Sequence, residues 1–319
     1  MILAGDIGGT NTRLAIFNKD VLLVEQKFLS KDYPTLEEIV QKFLKTNPHK
    51  ITKVCLGIAG PIRNGKCQAT NLPWVVDTVS FNKLLGISST VLLNDLEAKA
   101  YGLRVLKKEE LLLIQPGTSQ VGNQALIAAG TGLGEAGLYW NGKEHIPFPC
   151  EGGHTDFAPR NPMEVELLFY LQKKFGHVSY ERMVSGPGIP LLYRFLVETG
   201  KEKESPHVKE AMRTKSPSLV ISEMAVKKQD PLCEKVIDWF LSLYGAEAGN
   251  LALKMLSLGG IYIGGGIAPY LKEEMKKGSF LSALVDKGRF RPLLESIPVY
   301  IILNDDASIL GAAFFASTL

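Results

Sequence analysis

Three stretches of the 319-residue chain combine residue types that could do chemistry. The first is Gly5-Asp6-Ile7-Gly8-Gly9-Thr10-Asn11, between the apolar run 1–4 and the run 14–17. Paired glycines can take positive φ and bring backbone N–H groups close to an anion. Thr10 and Asn11 add short polar donors. A carboxylate at Asp6 would repel a phosphate in that cradle unless a cation lay between them. The stretch therefore reads as a nucleotide-phosphate loop with Asp6 facing Mg²⁺. A plain β-hairpin with glycine at a bulge is the competing reading. The second stretch is Asn94-Asp95, at the carboxyl end of the apolar run 91–93. Open α/β sheets bind ligands at that edge, but an Asx cap on the following helix explains the pair equally well. The third is Glu151-Gly152-Gly153-His154-Thr155-Asp156. Two glycines between a carboxylate and an imidazole let both side chains face one pocket, and their donors and acceptors suit the adjacent hydroxyls of a polyol. A metal site competes, but one Glu and one His lack further ligands at usable spacing.

Two more glycine turns follow apolar runs. Gly130-Thr131-Gly132-Leu133-Gly134 follows the run 125–129 and repeats the layout of the first turn: small residue, Gly-x-Gly, apolar strand. One such turn is weak evidence. Two, each heading an α/β unit, suggest duplicated halves flanking a cleft with a phosphate turn on either side. Gly264-Gly265-Gly266 ends an apolar run and precedes a helical segment, which makes a third anion- or nucleotide-facing corner. Glu181, just before Ser185-Gly186-Pro187-Gly188, is by itself a surface acid. Trp74, after Thr70 and Asn71 at a bend, is simply core.

The elements that must position these residues are legible from periodicity. Leu36, Ile39, Val40, Phe43 and Leu44 predict a helix over 35–45, with Thr35 and Glu38 as a capping box. Strands are predicted over 21–28, 53–59 and 90–93, with a helix over 96–106. The second half reads as more helical, with helices over 163–175, 189–198 and 217–228. The apolar stretch 230–258, interrupted at Gly245 and Gly249, predicts one long helix or two abutting ones. A strand over 299–303 and an amphipathic helix over 306–317 end the chain. The expected organisation is a smaller α/β domain, 1–106 plus the C-terminal helix 305–319, and a larger α/β domain, 107–304.

A net charge of +3 with scattered basic residues gives no electrostatic footprint for nucleic acid. Four cysteines without C-x-x-C spacing exclude a zinc ribbon and argue against a disulfide framework. No apolar segment reaches about 18 residues unbroken, so no membrane span is expected. With no basic leader before the first strand, a cytoplasmic location is expected.

The set Gly5-Asp6-Ile7-Gly8-Gly9-Thr10-Asn11-x-Arg13, Ala59-Gly60-Pro61-Ile62, Thr70-Asn71-x-x-Trp74, Asn94-Asp95, the turn at Gly130, Glu151-Gly152-Gly153-His154, Glu181-Arg182-x-x-Ser185-Gly186-Pro187-Gly188 and Gly264-Gly265-Gly266-Ile267 occurs in that order. As an ordered set it resembles the bacterial glucokinase family, within the actin-like ATPase and sugar kinase superfamily, from end to end. The resemblance implies two ribonuclease-H-like domains with mixed sheets flanking an interdomain cleft. It implies ATP-dependent phosphorylation of D-glucose to glucose 6-phosphate, with domain closure and Asp95 as general base. Asn94, Asp95, Glu151, His154 and Glu181 match the sugar ligands. Gly5, Asp6, Ile7, Gly8, Gly9 and Thr10 match the first phosphate loop, with Asp6 near Mg²⁺. Gly130, Thr131 and Gly132 match the second, and Gly264, Gly265 and Gly266 the adenosine corner. A homodimer is also implied. The zinc-binding cysteines and helix-turn-helix region of the related repressor-and-kinase family are absent, which argues against a regulator. A kinase of another sugar, such as mannose or an amino sugar, and a nucleotide-driven chaperone or filament ATPase would keep the same glycine turns.

Overall fold

Strands β1 (Ile2–Ile7), β2 (Asn11–Asn18) and β3 (Val21–Leu29) form an antiparallel meander. Helix α1 (Leu36–Thr46) then leads to β4 (Lys53–Ile58), which pairs with β1 in parallel. A small three-stranded sheet, β5 (Ile62–Arg63), β6 (Lys66–Gln68) and β7 (Val75–Asp77), precedes α2 (Thr78–Leu85). Strand β8 (Thr90–Asn94) adds in parallel to β4 and runs directly into α3 (Asp95–Gly102). The sheet order is β3-β2-β1-β4-β8. These are the coordinates of a computed structural model, which describes residues 1–118 and 120–319.

The pattern restarts with β9 (Leu111–Gln115), β10 (Gln124–Ala129), β11 (Leu133–Trp140) and β12 (His145–Cys150). Helices α4 (Pro162–Phe175), α5 (Gly188–Glu198), α6 (Pro206–Thr214), α7 (Pro217–Val226) and α8 (Pro231–Met255) follow. Strand β13 (Ile261–Gly264) then leads through α9 (Ile267–Tyr270), α10 (Lys272–Met275), α11 (Ser279–Val285) and α12 (Arg291–Glu295) to β14 (Val299–Ile302) and α13 (Ala307–Thr318). The second sheet has the order β12-β11-β10-β13-β14-β9. Setting aside the antiparallel edge strand β9, it repeats the first sheet: a hairpin (β10–β11) followed by strands added in parallel. Duplicated halves are thus a property of the topology. The chain divides into one unit of Met1–Glu110, Pro147–Pro149 and Asn304–Leu319, and another of Leu111–Ile146 and Cys150–Leu303.

Both sheets bury their central strands on both faces. Leu3 and Ile7 on one face of β1 join Val54, Leu56, Leu36 and Phe43, while Ile2 and Ala4 on the other join Cys55, Leu93 and the α13 residues Ile309, Ala312 and Ala313. Small side chains let α13 lie close. A Cβ at Gly311 would stand 1.8 Å from the Ala98 carbonyl oxygen, and one at Gly102 would stand 2.0 Å from that of Ala307. The terminal helix, expected to be amphipathic, is therefore a core element locked against α3. Close packing of Gly102 also ends α3 earlier than residue 106; the chain leaves in a turn closed by Val105 N–H to Gly102 O, 2.9 Å.

Helix α8 is continuous through Gly245 and Gly249. These glycines mark a helix–helix contact: a Cβ would lie 2.0 Å from Phe280 O and 2.3 Å from Leu284 O, both in α11. Helix propensity is lost at each glycine, but the crossing of α11 requires the space. Trp74 is buried and donates Nε1–H to Tyr33 O at 3.2 Å, so it is a core residue as expected.

The α3–α13 crossing carries a stability prediction. Gly311→Ala should cost about 1–3 kcal/mol, the range for overpacking a filled core. It would be read as a lower midpoint in urea unfolding followed by circular dichroism. An unchanged midpoint would mean that α13 can move off α3 without loss.

Candidate functional site

In the first unit the chemistry-bearing residues stand at the carboxyl ends of parallel strands. Asp6 pairs in register with Gly57, and Gly57 with Leu93, so Asp6 and Leu93 share a row two strands apart. At ordinary strand spacing that is roughly 10 Å, and Asp95 lies two residues beyond Leu93. The Asp6 carboxyl is raised above the usual carboxylate range by desolvation, with Lys99 and Arg13 pulling the other way. Arg13 itself is held by Glu25 and by Asp306 at the start of α13.

The turn after β1 closes on itself, Gly8 N–H donating to Asn11 O at 2.9 Å, and Ser30 Oγ braces it by donating to Gly8 O at 2.8 Å. Neither Gly8 nor Gly9 takes positive φ, contrary to expectation. Glycine at position 9 answers a steric demand instead: a Cβ there would lie 2.7 Å from Asn71 Cβ.

The sequence left the Asn94-Asp95 pair open between a helix cap and a catalytic role, and the structure shows which residue is the cap. Asn94 is the N-cap of α3, its Oδ1 accepting from Leu96 N–H (2.9 Å) and Glu97 N–H (3.4 Å), with Glu97 completing a capping box. The cap thus falls to Asn94, and Asp95 stands in the first turn, where the helix dipole favours a negative charge. Gly57 lets α3 sit directly over β4, since a Cβ there would meet Ala98 Cβ at 2.8 Å.

The second unit brings three predicted segments together. The turn after β10 closes through Gly130 N–H to Gly132 O at 2.9 Å. Glu181 comes up against it, Oε2 accepting from Leu133 N–H at 2.9 Å. A Cβ at Gly132 would stand 2.4 Å from that oxygen. His154 Nδ1 lies 3.9 Å from Glu181 Oε1. Glu181 is therefore a turn-bracing residue as well as a candidate ligand, where sequence reading alone left it a surface acid.

Glu151 is exposed on the same short 3₁₀ turn as Gly152–His154. The two glycines there are again needed for close packing rather than for φ: a Cβ at Gly152 would lie 1.8 Å from Glu135 Oε2, and at Gly153 2.0 Å from Leu133 O. Asp156 turns away to His177, 2.9 Å. At the third corner the conformational argument does hold. Gly265 has φ of +82°, and a Cβ would strike Ala129 O at 2.1 Å, so this corner packs on the end of β10.

Several residues escaped the sequence reading. Tyr244, fully buried on α8, accepts from Ala129 N–H at 3.1 Å and donates to the Ile127 and Gly264 carbonyl region, at 3.3 and 3.5 Å. It ties the strand ends that carry the second and third glycine turns. Nothing in the periodicity of α8 separates it from other core aromatics. Lys99 does carry a signal, since it stands four residues after Asp95 on α3. A cavity of about 770 Å³ beside Gly130 and Thr131 is lined by Arg182, Ser185, Arg194 and Ile267 among others. Ser185 lay in a glycine-rich stretch, but the arginines had no distinguishing pattern. Among the described residues no group of three or more His, Cys, Asp or Glu could hold a metal ion, and no helix is long and apolar enough to cross a membrane.

A family model described as Glucokinase matches residues 3–319. The chain belongs to the glucokinase family. Among its relatives, the glucokinase of Nostoc punctiforme is 43% identical over 339 residues, covering 100% of this chain and 99% of that protein. The glucokinase of Shigella dysenteriae is 36% identical, covering 97% and 95%. The crystal structure of glucokinase from an Antarctic psychrotroph superposes with a TM-score of 0.83 at 30% identity, covering 100% and 99%. A ROK family glucokinase from Streptomyces griseus, solved with glucose and AMPPNP, shares the fold at a TM-score of 0.69 and 20% identity, covering 100% and 99%. The two α/β units with mixed sheets are those of the actin-like ATPase fold to which glucokinases belong.

The role of Tyr244 beneath the glycine turns of this glucokinase-family chain is open to a direct check. Tyr244→Phe keeps the ring but leaves the buried Ala129 N–H without its acceptor, at a cost of about 1–3 kcal/mol. Urea unfolding of the variant should show that loss; a wild-type midpoint would mean that Ala129 finds another acceptor.

Proposed function

We propose that the chain transfers the γ-phosphoryl group of ATP to the 6-hydroxyl of D-glucose, yielding glucose 6-phosphate and ADP, with Asp95 as general base. The observation that carries this reading is the full-length match to glucokinases, joined to an acid at the carboxyl edge of the first sheet whose helix is capped by its neighbour. Asp95 accepts the proton of the 6-hydroxyl as that oxygen attacks phosphorus. The bond from phosphorus to the bridging oxygen breaks, and ADP leaves with the electron pair. Phosphoryl transfer of this kind depends mainly on positioning and on electrostatic stabilisation.

Asn94, Glu151, His154 and Glu181 hold the sugar hydroxyls. Asn94 contributes through Nδ2, since Oδ1 is committed to the cap; Nδ2 donates to Gly60 O at 3.5 Å, the limit for a hydrogen bond, and is easily redirected. Gly5, Ile7, Gly8, Gly9 and Thr10 form the first phosphate loop, Gly130, Thr131 and Gly132 the second, and Gly264, Gly265 and Gly266 the adenosine corner. The cavity beside Thr131 falls in the ordinary size range for a small-molecule site and seats part of the nucleotide. A cytoplasmic homodimer is the working form under this reading.

Asp6 suits Mg²⁺. Its carboxyl is desolvated and short of compensating charge, and no protein cage surrounds it. That matches an ion that takes one or two carboxylates and completes its shell with phosphate and water. Bound there with ATP, Mg²⁺ would neutralise charge on the phosphates.

A coupled ADP-release assay with ATP and Mg²⁺ against glucose, mannose, fructose and N-acetylglucosamine tests the assignment; no turnover with glucose would overturn it. Asp95→Asn should lower kcat by about 10²-fold or more, the scale for losing a general base, with glucose affinity far less changed. Near-wild-type turnover would remove Asp95 from that role. Glu151→Gln should act chiefly on the glucose KM, and an unaltered KM would take the Glu151–His154 turn out of the sugar site.

A further inference from the structure

The second unit buries two acids that phosphoryl transfer does not use. Glu135 lies on β11, two residues after Leu133, and is 1% exposed; Glu247 lies on α8 and is fully buried. Oε2 of Glu135 bears directly on the backbone of Gly152, where no side-chain carbon would fit. Its other oxygen, Oε1, meets no donor. The Glu247 carboxylate is better served: Asn250 Nδ2 donates to it at 2.8 Å and Lys254 Nζ at 3.4 Å.

Two adjacent carboxyls in the interior cannot both be charged at ordinary cost. The donors surround Glu247, so Glu247 keeps the charge and Glu135 keeps the proton. A neutral Glu135 can donate to Glu247, which faces it, and a shared proton of this kind would account for a buried carboxyl oxygen that meets no donor. The network continues toward the other sugar-ligand segment, Asn250 Nδ2 donating to Tyr180 OH at 3.1 Å, next to Glu181. Lys287 Nζ donates to Asn250 Oδ1 at 2.6 Å and fixes that amide.

We propose that Glu135, held as a neutral acid hydrogen-bonded to Glu247, is a positioning residue for the sugar: it supports the Gly152–His154 turn where Glu151 and His154 reach the substrate. This rests on the sugar-site reading of that turn. The groups facing Glu135 are Glu247, Lys254 and Tyr244 from α8 and Cys150 at the end of β12; Tyr180 and Lys287 face Glu247 from beyond. Burial pushes the Glu135 carboxyl up to about 8, Glu247 adds to the rise, and Lys254 opposes it. Above that pH two neighbouring anions share one lysine, repel each other and press on Gly152. Because the folded-state value is raised, the stabilisation from neutral Glu135 is complete below the unfolded carboxyl's pKa and is lost as pH rises through about 8.

The test is the glucose KM measured from pH 7 to about 9 in wild type, E135Q and E151Q, with thermal melts at each pH. Gln keeps the size and an N–H donor toward Glu247 but has no proton to lose. Wild type should show a several-fold rise in glucose KM across that range, with kcat at saturating sugar much less affected. E135Q should stay within about twofold of the wild-type KM at pH 7, as expected when binding contacts are intact, and should lack the alkaline rise. Its melting temperature should likewise fall less between pH 7 and 9. An alkaline rise in E135Q parallel to that of wild type, or none in wild type, overturns the proposal. A KM unchanged in E151Q points instead to failure of the sugar-site reading. An elevated KM in E151Q, with E135Q tracking wild type, sinks only the role of Glu135.

Discussion

The carboxylate of Glu181 occupies the space that a Cβ on Gly132 would need, and the second unit's candidate site is arranged around that exclusion. With Oε2 taken up by Leu133 N–H, the acid is fixed on the glycine turn while its other oxygen faces His154. The same device recurs at Gly152 against Glu135, at Gly153 against the Leu133 carbonyl and at Gly265 against the Ala129 carbonyl. In each case a segment distant in sequence is brought to within van der Waals reach of a turn. Each of these four glycines makes room for a neighbour, and only Gly265 among them also uses positive φ.

That distinction explains what could be read in advance. The alternation of short apolar runs with glycine turns carries the two sheets, because a buried parallel strand must be apolar and must end where backbone polarity can meet solvent or ligand. The duplication was visible at Gly8 and Gly130 for the same reason. What the residues did not show was why each glycine is there. A sequence displays the missing side chain but not the approaching partner, and Asn71, Glu135 and Glu181 are all far along the chain from the glycines they touch. The same blindness applied to α8, where Gly245 and Gly249 looked like interruptions until α11 was seen crossing them.

Candidate site residues were legible in proportion to how local their geometry is. Asn94 and Asp95 sit on a strand–helix junction, and which of the two caps the helix had to come from the structure. Glu181 had no local signal beyond a glycine-rich neighbour, and its meaning lies in the hydrogen bond to a turn built from residues nearly fifty positions earlier. Tyr244 is the extreme case: a buried aromatic whose hydroxyl matters, indistinguishable by burial pattern from Phe240 one turn before it.

Asp6 and Glu135 pose the same electrostatic problem in different surroundings. Burial raises the proton affinity of both carboxyls. Asp6 stands at a strand end beside a glycine turn, with Lys99 and Arg13 within electrostatic reach, so an added cation can complete its charge balance. Glu135 stands beneath a turn with a second carboxylate beside it, and the nearest ammonium, on Lys254, is already bonded to that neighbour. The inexpensive answer there is a proton. Under the proposed Mg²⁺ reading, access decides which positive species a buried acid attracts: Asp6 at its strand end is half-buried, whereas Glu135 is 1% exposed and can be reached by little larger than H⁺. On the proposed readings, burial prepares an acid for a metal ion in one unit and holds a proton beneath a turn in the other.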